Sequence, residues 1–196
     1  MQPLLVTFAL QDEYVELPPL DFPTKVVFTG VGKTMAAMAV TKAILTYHPF
    51  GVLNIGTAGT SIHRIGDIIV SRHFVDRDLE PLSLEGVISE IHTAGGLIPN
   101  LRSIGGPELT DCEDPIVNTG DDFVSGDAVV RGDAVDMEAF AEAVVCAHFS
   151  LPFLAVKYIT DIVGQNSVQS WAEKLEDAKK GLAAYFLQIR NAANSK

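Results

Sequence analysis

Residues 25–60 read KVVFTGVGKTMAAMAVTKAILTYHPFGVLNIGTAGT, and this stretch decides the fold class. Residues 25–29 form a short apolar, β-branched run that closes on Gly30-Val31-Gly32. Across residues 33–48 the apolar side chains Ala36, Ala39, Val40, Ala43, Ile44 and Tyr47 recur at i, i+3, i+4, i+7, i+8 and i+11, the spacing of a helix with one buried face. Residues 51–55 are apolar again and end in a second glycine-rich turn. Strand, helix and strand in that order build a largely parallel sheet covered on both faces.

The same alternation continues outward. Further strands are expected at residues 4–9, 67–73, 115–119 and 152–159, and further helices at residues 137–149 and 167–193. Residues 82–112 are poor in periodicity and contain Gly95-Gly96, Pro99 and Gly105-Gly106, which reads as loop and short irregular elements. With no repeat, low-complexity tract or linker, residues 1–196 are expected to form one domain.

Charge narrows the function. Against 14 Lys and Arg stand 25 Asp and Glu, a formal charge of −11. Nucleic acid is held mainly by cationic side chains that neutralise phosphates, so this balance argues against such a partner. At 47% hydrophobic and 20% charged residues the composition is that of a packed globular protein. A domain of this size buries roughly 70% of its unfolded surface, enough for a core without disulfides or metals. The two cysteines, Cys112 and Cys146, form no metal-spaced cluster and read as reduced thiols. The first 17 residues lack the charged start of a signal peptide and read as a first strand. No apolar stretch approaches the roughly 20 residues of a membrane span. A cytoplasmic protein without membrane contact is expected.

In an open α/β sheet, ligands bind beyond the carboxyl ends of the strands. Those ends are rich in carboxylates, hydroxyls and glycines: Gln11-Asp12-Glu13, Thr29 to Lys33, Gly56 to Thr60, Thr119 to Asp127, and Thr160-Asp161. A phosphate-binding GxxxxGK loop would need glycine where Val27 stands, and GxGxxG would need it at Met35, so neither nucleotide motif is satisfied. What remains is a pair of strand-to-helix turns whose N–H groups are either simple turns or a cradle for an oxygen-rich group. The two acids of Val135-Asp136-Met137-Glu138-Ala139 either favour a helix dipole or work in a site. Asp161 ends an apolar run, where it either caps the following turn or is functional.

Taken in order, TGVGK, NIGTAGT followed by GDIIVS, GDDFVSGD, VDMEA and ITD resemble the purine/uridine phosphorylase superfamily. Within it the chain is most similar to the 5′-methylthioadenosine/S-adenosylhomocysteine nucleosidases, over residues 4–165 and with a shorter middle segment. The resemblance implies a three-layer α/β/α fold with a central mixed sheet, cleavage of an N-ribosidic bond, a small-molecule nucleoside as ligand, a homodimer, and no metal or cofactor. It makes Glu138 the carboxylate that grips the ribose hydroxyls and Met137 the side chain packed on the sugar. Asp136 stands where relatives more often carry Glu. Asp161 becomes the acid for the leaving purine, preceded by Thr160 in place of Ser, and Glu13 the activator of water. Phe123 and Val124 fall where the base stacks, and Thr57 lies near the ribose and the nucleophile.

Phosphorylases of this superfamily tend to place an Arg two residues before the glycine of the GTAG turn, where phosphate needs a fixed cation. That position is Asn54 here, which favours water. Protonation of the base by Asp161, deprotonation of water by Glu13 and support of the developing cation by Glu138 meet the needs of C1′–N9 cleavage. The alternatives are a futalosine hydrolase, suggested by Val163-Gly164 and Trp171, a phosphate-dependent phosphorylase, and a nucleoside-binding homologue without turnover.

Overall fold

Alternation along the strands builds two cores on opposite faces of one sheet. The computed structural model describes residues 1–82, 84–94, 97–98, 101–103, 114–124, 130–165 and 167–193. Its strands are β1 (Leu4–Phe8), β2 (Thr24–Phe28), β3 (Gly51–Thr60), β4 (Ile68–Ser71), β5 (His73–Asp76), β6 (Glu90–His92), β7 (Ile116–Thr119), β8 (Ala134–Asp136) and β9 (Phe153–Ile162). The helices are α1 (Lys33–Tyr47), α2 (Ala139–His148) and α3 (Ser167–Ala193). Successive strand residues face opposite sides. Leu5, Val52, Phe153 and Ala155 therefore pack with Val40 and Ile44 of α1 and Phe140 and Cys146 of α2. Their neighbours Leu4, Val6, Leu53 and Val156 pack with Ala178, Leu182 and Phe186 of α3. The result is the three-layer α/β/α arrangement.

The sheet is mixed. One path runs β2-β1-β3-β8-β7-β5-β6, and β9 joins β3 and β4 off that path. Its β1–β2, β1–β3, β3–β9, β5–β7 and β7–β8 pairs are parallel. The β3–β8, β4–β9 and β5–β6 pairs are antiparallel.

Several sequence expectations are corrected. The single strand expected at 67–73 is two, because β4 pairs with β9 while β5 crosses to β7. The Ser71 hydroxyl, bonded to the His73 N–H at 3.0 Å and to Pro115 O at 2.5 Å, fixes the change of partner. The turn expected after residue 55 is instead the continuation of β3 to Thr60. Helix α2 begins at Ala139, two residues later than expected, with Glu138 at its N-cap. Of residues 82–112, residues 83, 95–96, 99–100 and 104–112, Cys112 among them, lie outside the described set, as do residues 125–129 of the GDDFVSGD motif. Cys146 is a buried free thiol. None of the described helices is long and apolar enough to cross a membrane.

Candidate active site

Glu13 is carried on a single turn of 3-10 helix, Gln11–Glu13, directly after β1. Its Oε1 accepts hydrogen bonds from the Thr57 hydroxyl at 2.7 Å and the Thr57 N–H at 3.2 Å, and its Oε2 accepts the Leu10 N–H at 3.2 Å. Thr57 in turn accepts the indole N–H of Trp171, on α3, at 2.8 Å.

Asp161 reaches the same place through a break in strand register. Ala58 pairs with Ile159 but Gly59 pairs with Asp161, so Thr160 is an extra residue opposite no partner. Such a bulge re-aims the side chain that follows it. Thr160 Oγ1 lies 2.8 Å from Asp161 Oδ1 and 3.3 Å from Ala58 O, so this hydroxyl braces the acid from within the sheet. Gly59 makes the approach possible, since a Cβ there would stand 2.8 Å from Asp161 Oδ2. The glycines of GTAGT thus keep the strand going while leaving room for a carboxylate.

Glu138 does not hydrogen-bond its own helix start. Its Oε1 accepts the N–H of Gly32 at 3.0 Å, tying the N-terminus of α2 to the glycine turn after β2. Gly32 holds φ at +93°, a conformation that favours glycine. Burial, then repulsion from Asp136, lifts the Glu138 carboxyl to about 7, against the opposing pull of Lys157 and the Gly32 N–H.

Asp136 borders the same cavity, but both its oxygens are engaged beneath it. Oδ1 accepts the Thr119 hydroxyl at 2.5 Å, and Oδ2 holds the Ala139 N–H at 2.9 Å and the Lys157 ammonium at 2.8 Å. Lys157 is 2% exposed at its side chain. Burial disfavours its ammonium form, but Asp136, Glu138 and Glu13 more than offset this and hold its pKa above the usual lysine range.

These groups converge on a cavity of about 290 Å³ that Glu13, Thr57, Phe123, Val124, Asp136, Met137, Glu138, Thr160 and Asp161 all line. Every site residue expected from sequence is therefore brought together. Among the described residues five carboxylates line it, with Asp122 added to the four acids already named, and no Lys or Arg does. Cations around it are already paired: Lys157 Nζ with Asp136 at 2.8 Å, Lys33 Nζ with Asp76 at 2.8 Å and Asp78 at 2.7 Å, and Arg77 with Asp122 at 3.0 Å. The amides of the glycine turn point at carboxylates too, Gly32 at Glu138 and Lys33 at Asp121. A phosphate would meet neither a free cation nor a free amide cradle among these groups. Asn54 lies off the cavity, its Nδ2 donating to Glu142 Oε1 at 3.0 Å and Thr7 Oγ1 at 3.2 Å.

Sequence reasoning missed Lys157 and Glu142 altogether and gave Trp171 no place in the site. The signals were present as a lone Lys inside the apolar run FLAVKYITDI, a Glu inside the apolar helix AFAEAVVCAH, and the chain's only Trp. Among the described residues one cluster elsewhere has metal-ligand character: His73, Glu90 and His92, with ligand atoms within 4.8 Å of one another. It joins β5 to the edge strand β6, and Arg131 already takes both Glu90 oxygens, at 2.8 and 3.0 Å, so it serves as a clasp at the sheet edge.

A family model described as the phosphorylase superfamily matches residues 24–189. The chain belongs to that superfamily. Among superfamily relatives, it is 28% identical to the 5′-methylthioadenosine/S-adenosylhomocysteine nucleosidase of Geobacillus kaustophilus, covering 86% of this chain and 79% of that protein. Its fold matches the nucleosidase of the same name from Helicobacter pylori, solved with butyl-thio-DADMe-Immucillin-A, with a TM-score of 0.74 at 20% identity over 98% and 99% of the two chains. The futalosine hydrolase of H. pylori matches equally, with a TM-score of 0.74 at 20% identity over 96% of each chain.

Proposed function

We propose that this superfamily member is a nucleosidase, which uses water to cleave the N-ribosidic bond of a 5′-modified purine nucleoside of the methylthioadenosine and adenosylhomocysteine type. The observation that carries the reading is the meeting of Glu13, Glu138 and Asp161, from three distant segments, in one cavity that no Lys or Arg among the described residues lines. The relatives named as nucleosidases supply the substrate class.

In this mechanism Asp161, braced by Thr160, donates a proton to the departing purine. Glu138 accepts hydrogen bonds from the ribose 2′- and 3′-hydroxyls and places negative charge near the oxocarbenium-like sugar as it forms. Glu13 takes the proton of the attacking water, a role typically worth ~10²–10⁴-fold. Phe123 and Val124 hold the base, Met137 packs on the sugar, and Thr57 stands beside the nucleophile. Asp136 acts from below, through Lys157 and the start of α2. No step calls for a metal or cofactor.

A homodimer within a single 1–196 domain architecture, cytoplasmic and without nucleic-acid partners, belongs to the same reading. Its support is the apolar surface near the cavity mouth, where Val31, Met35 and Phe123 are each more than 40% exposed, and the charge of −11. Futalosine is the second substrate to weigh, because Val163 and Trp171 both line the cavity. Incubating the purified protein with methylthioadenosine, adenosylhomocysteine, futalosine, adenosine and inosine, without phosphate, tests the proposal. Free base from the 5′-modified nucleosides is expected. No base from any of them would leave a binding protein, and base that appears only once phosphate is added would make it a phosphorylase.

A further inference from the structure

Trp171 does more than wall the cavity. Its indole N–H is a donor and nothing else, and it lies 2.8 Å from Thr57 Oγ1. Thr57 must therefore accept at that contact, which commits the hydroxyl's only proton to its other partner, Glu13 Oε1, at 2.7 Å. With the Thr57 N–H also on Oε1, that oxygen carries two donors while Oε2, among the described residues, carries the Leu10 N–H alone. The two oxygens of one carboxylate are made unequal.

We propose that Trp171 is a positioning residue that directs the Thr57 hydroxyl at Glu13 Oε1 and so reserves Oε2 as the atom that takes the proton from water. This rests on the reading of Glu13 as water activator. Without the indole N–H, the Thr57 hydroxyl is free to turn away from Glu13 or to compete for the same water. The carboxylate then loses a fixed partner and the base loses its orientation, with no change in the walls that hold the nucleoside.

The chain has a single tryptophan, so one indole N–H signal in a ¹⁵N-correlated NMR spectrum reports on this contact alone. The expected result is slow solvent exchange of that signal, accelerated at least about tenfold in Thr57→Val and restored in Thr57→Ser. In turnover, Trp171→Phe keeps the ring and removes the donor. It should lower kcat by about tenfold, the effect of one hydrogen bond to a charged group's partner, with KM changed by less than about threefold. The same substitution in a Thr57→Val background should cost little more, because the relay is already broken. An indole signal indifferent to Thr57→Val overturns the relay. A Trp171→Phe loss that falls on KM, or that is equally large in both backgrounds, assigns the ring to the wall and overturns the positioning role. No base release by the wild type from any nucleoside overturns instead the reading of the site, with the exchange data still deciding the hydrogen bond.

Discussion

The two faces of the sheet are built from the same strands and both hold an apolar core, but only one of them also buries a polar layer. Towards α3, the residues of β1, β3 and β9 are Leu4, Val6, Leu53, Ile55, Leu154 and Val156, an apolar core. Towards α2, the same strands carry Thr7, Asn54 and Lys157, which meet Asp136 and Glu142 in a buried polar layer beneath the cavity. Burying charge is costly unless each group is paired. Here the pairing is reciprocal: Lys157 neutralises Asp136, and Thr7 and Asn54 each donate to Glu142. Both faces hold the molecule together, but only the face towards α2 also holds the acids in place.

Substitutions break that comparison in a defined order. The largest effect belongs to the cavity itself: Asp161→Asn should lower base release by about 10²–10⁴-fold, with nucleoside affinity by calorimetry nearly unchanged. An equal loss of affinity would make Asp161 a binding group and not the acid.

Next come matched changes on the two faces. Leu182→Ala on α3 should cost about 2–5 kcal/mol in chemical denaturation and leave kcat per folded molecule unaltered. Lys157→Met should cost a similar ~3–5 kcal/mol by leaving Asp136 without its cation, and should also lower kcat, because Glu138 and Glu13 lose their shared counter-charge. Equal kcat in both variants would erase the distinction between the faces.

The smallest effect is one of pH. Burial lifts the Glu142 carboxyl to about 8, well above its ordinary 4.5, with Thr7 and Lys157 opposing. Its proton is held more tightly in the folded state than in the unfolded one, so it supports stability at low pH and withdraws that support as pH rises to about 8. Glu138 adds the same trend up to about 7. Glu142→Gln should therefore melt higher than the wild type at pH 8.5 and nearly match it at pH 5. A gap that is constant with pH would show that Glu142 does not titrate there.

Much of this arrangement was legible in the sequence. The period of α1 predicted its buried Ala36, Val40, Ala43 and Ile44, although Tyr47, expected on the same face at the helix end, is exposed, and ordered motifs picked out acids as far apart as Glu13 and Asp161. What escaped notice depended on tertiary pairing. Strands β6 and β8 are three residues each, too short for a period to show, and exist because β5, β7 and β3 lie alongside. The GTAGT glycines looked like a turn because nothing local reveals that Asp161, a hundred residues on, needs the space beside Gly59. Asn54 was read only as a position without the phosphorylases' Arg, and nothing local revealed that strand alternation turns it to Glu142. Lys157 shares that face, and an isolated Lys in an apolar strand was the clue that a carboxylate lay below the site.

What becomes of the sugar decides most directly between water and phosphate as the nucleophile. With methylthioadenosine as substrate and phosphate present in excess, mass spectrometry of the products should show adenine and free methylthioribose, because Lys33, Arg77 and Lys157 are each already paired with a carboxylate. Methylthioribose 1-phosphate as the product would contradict it.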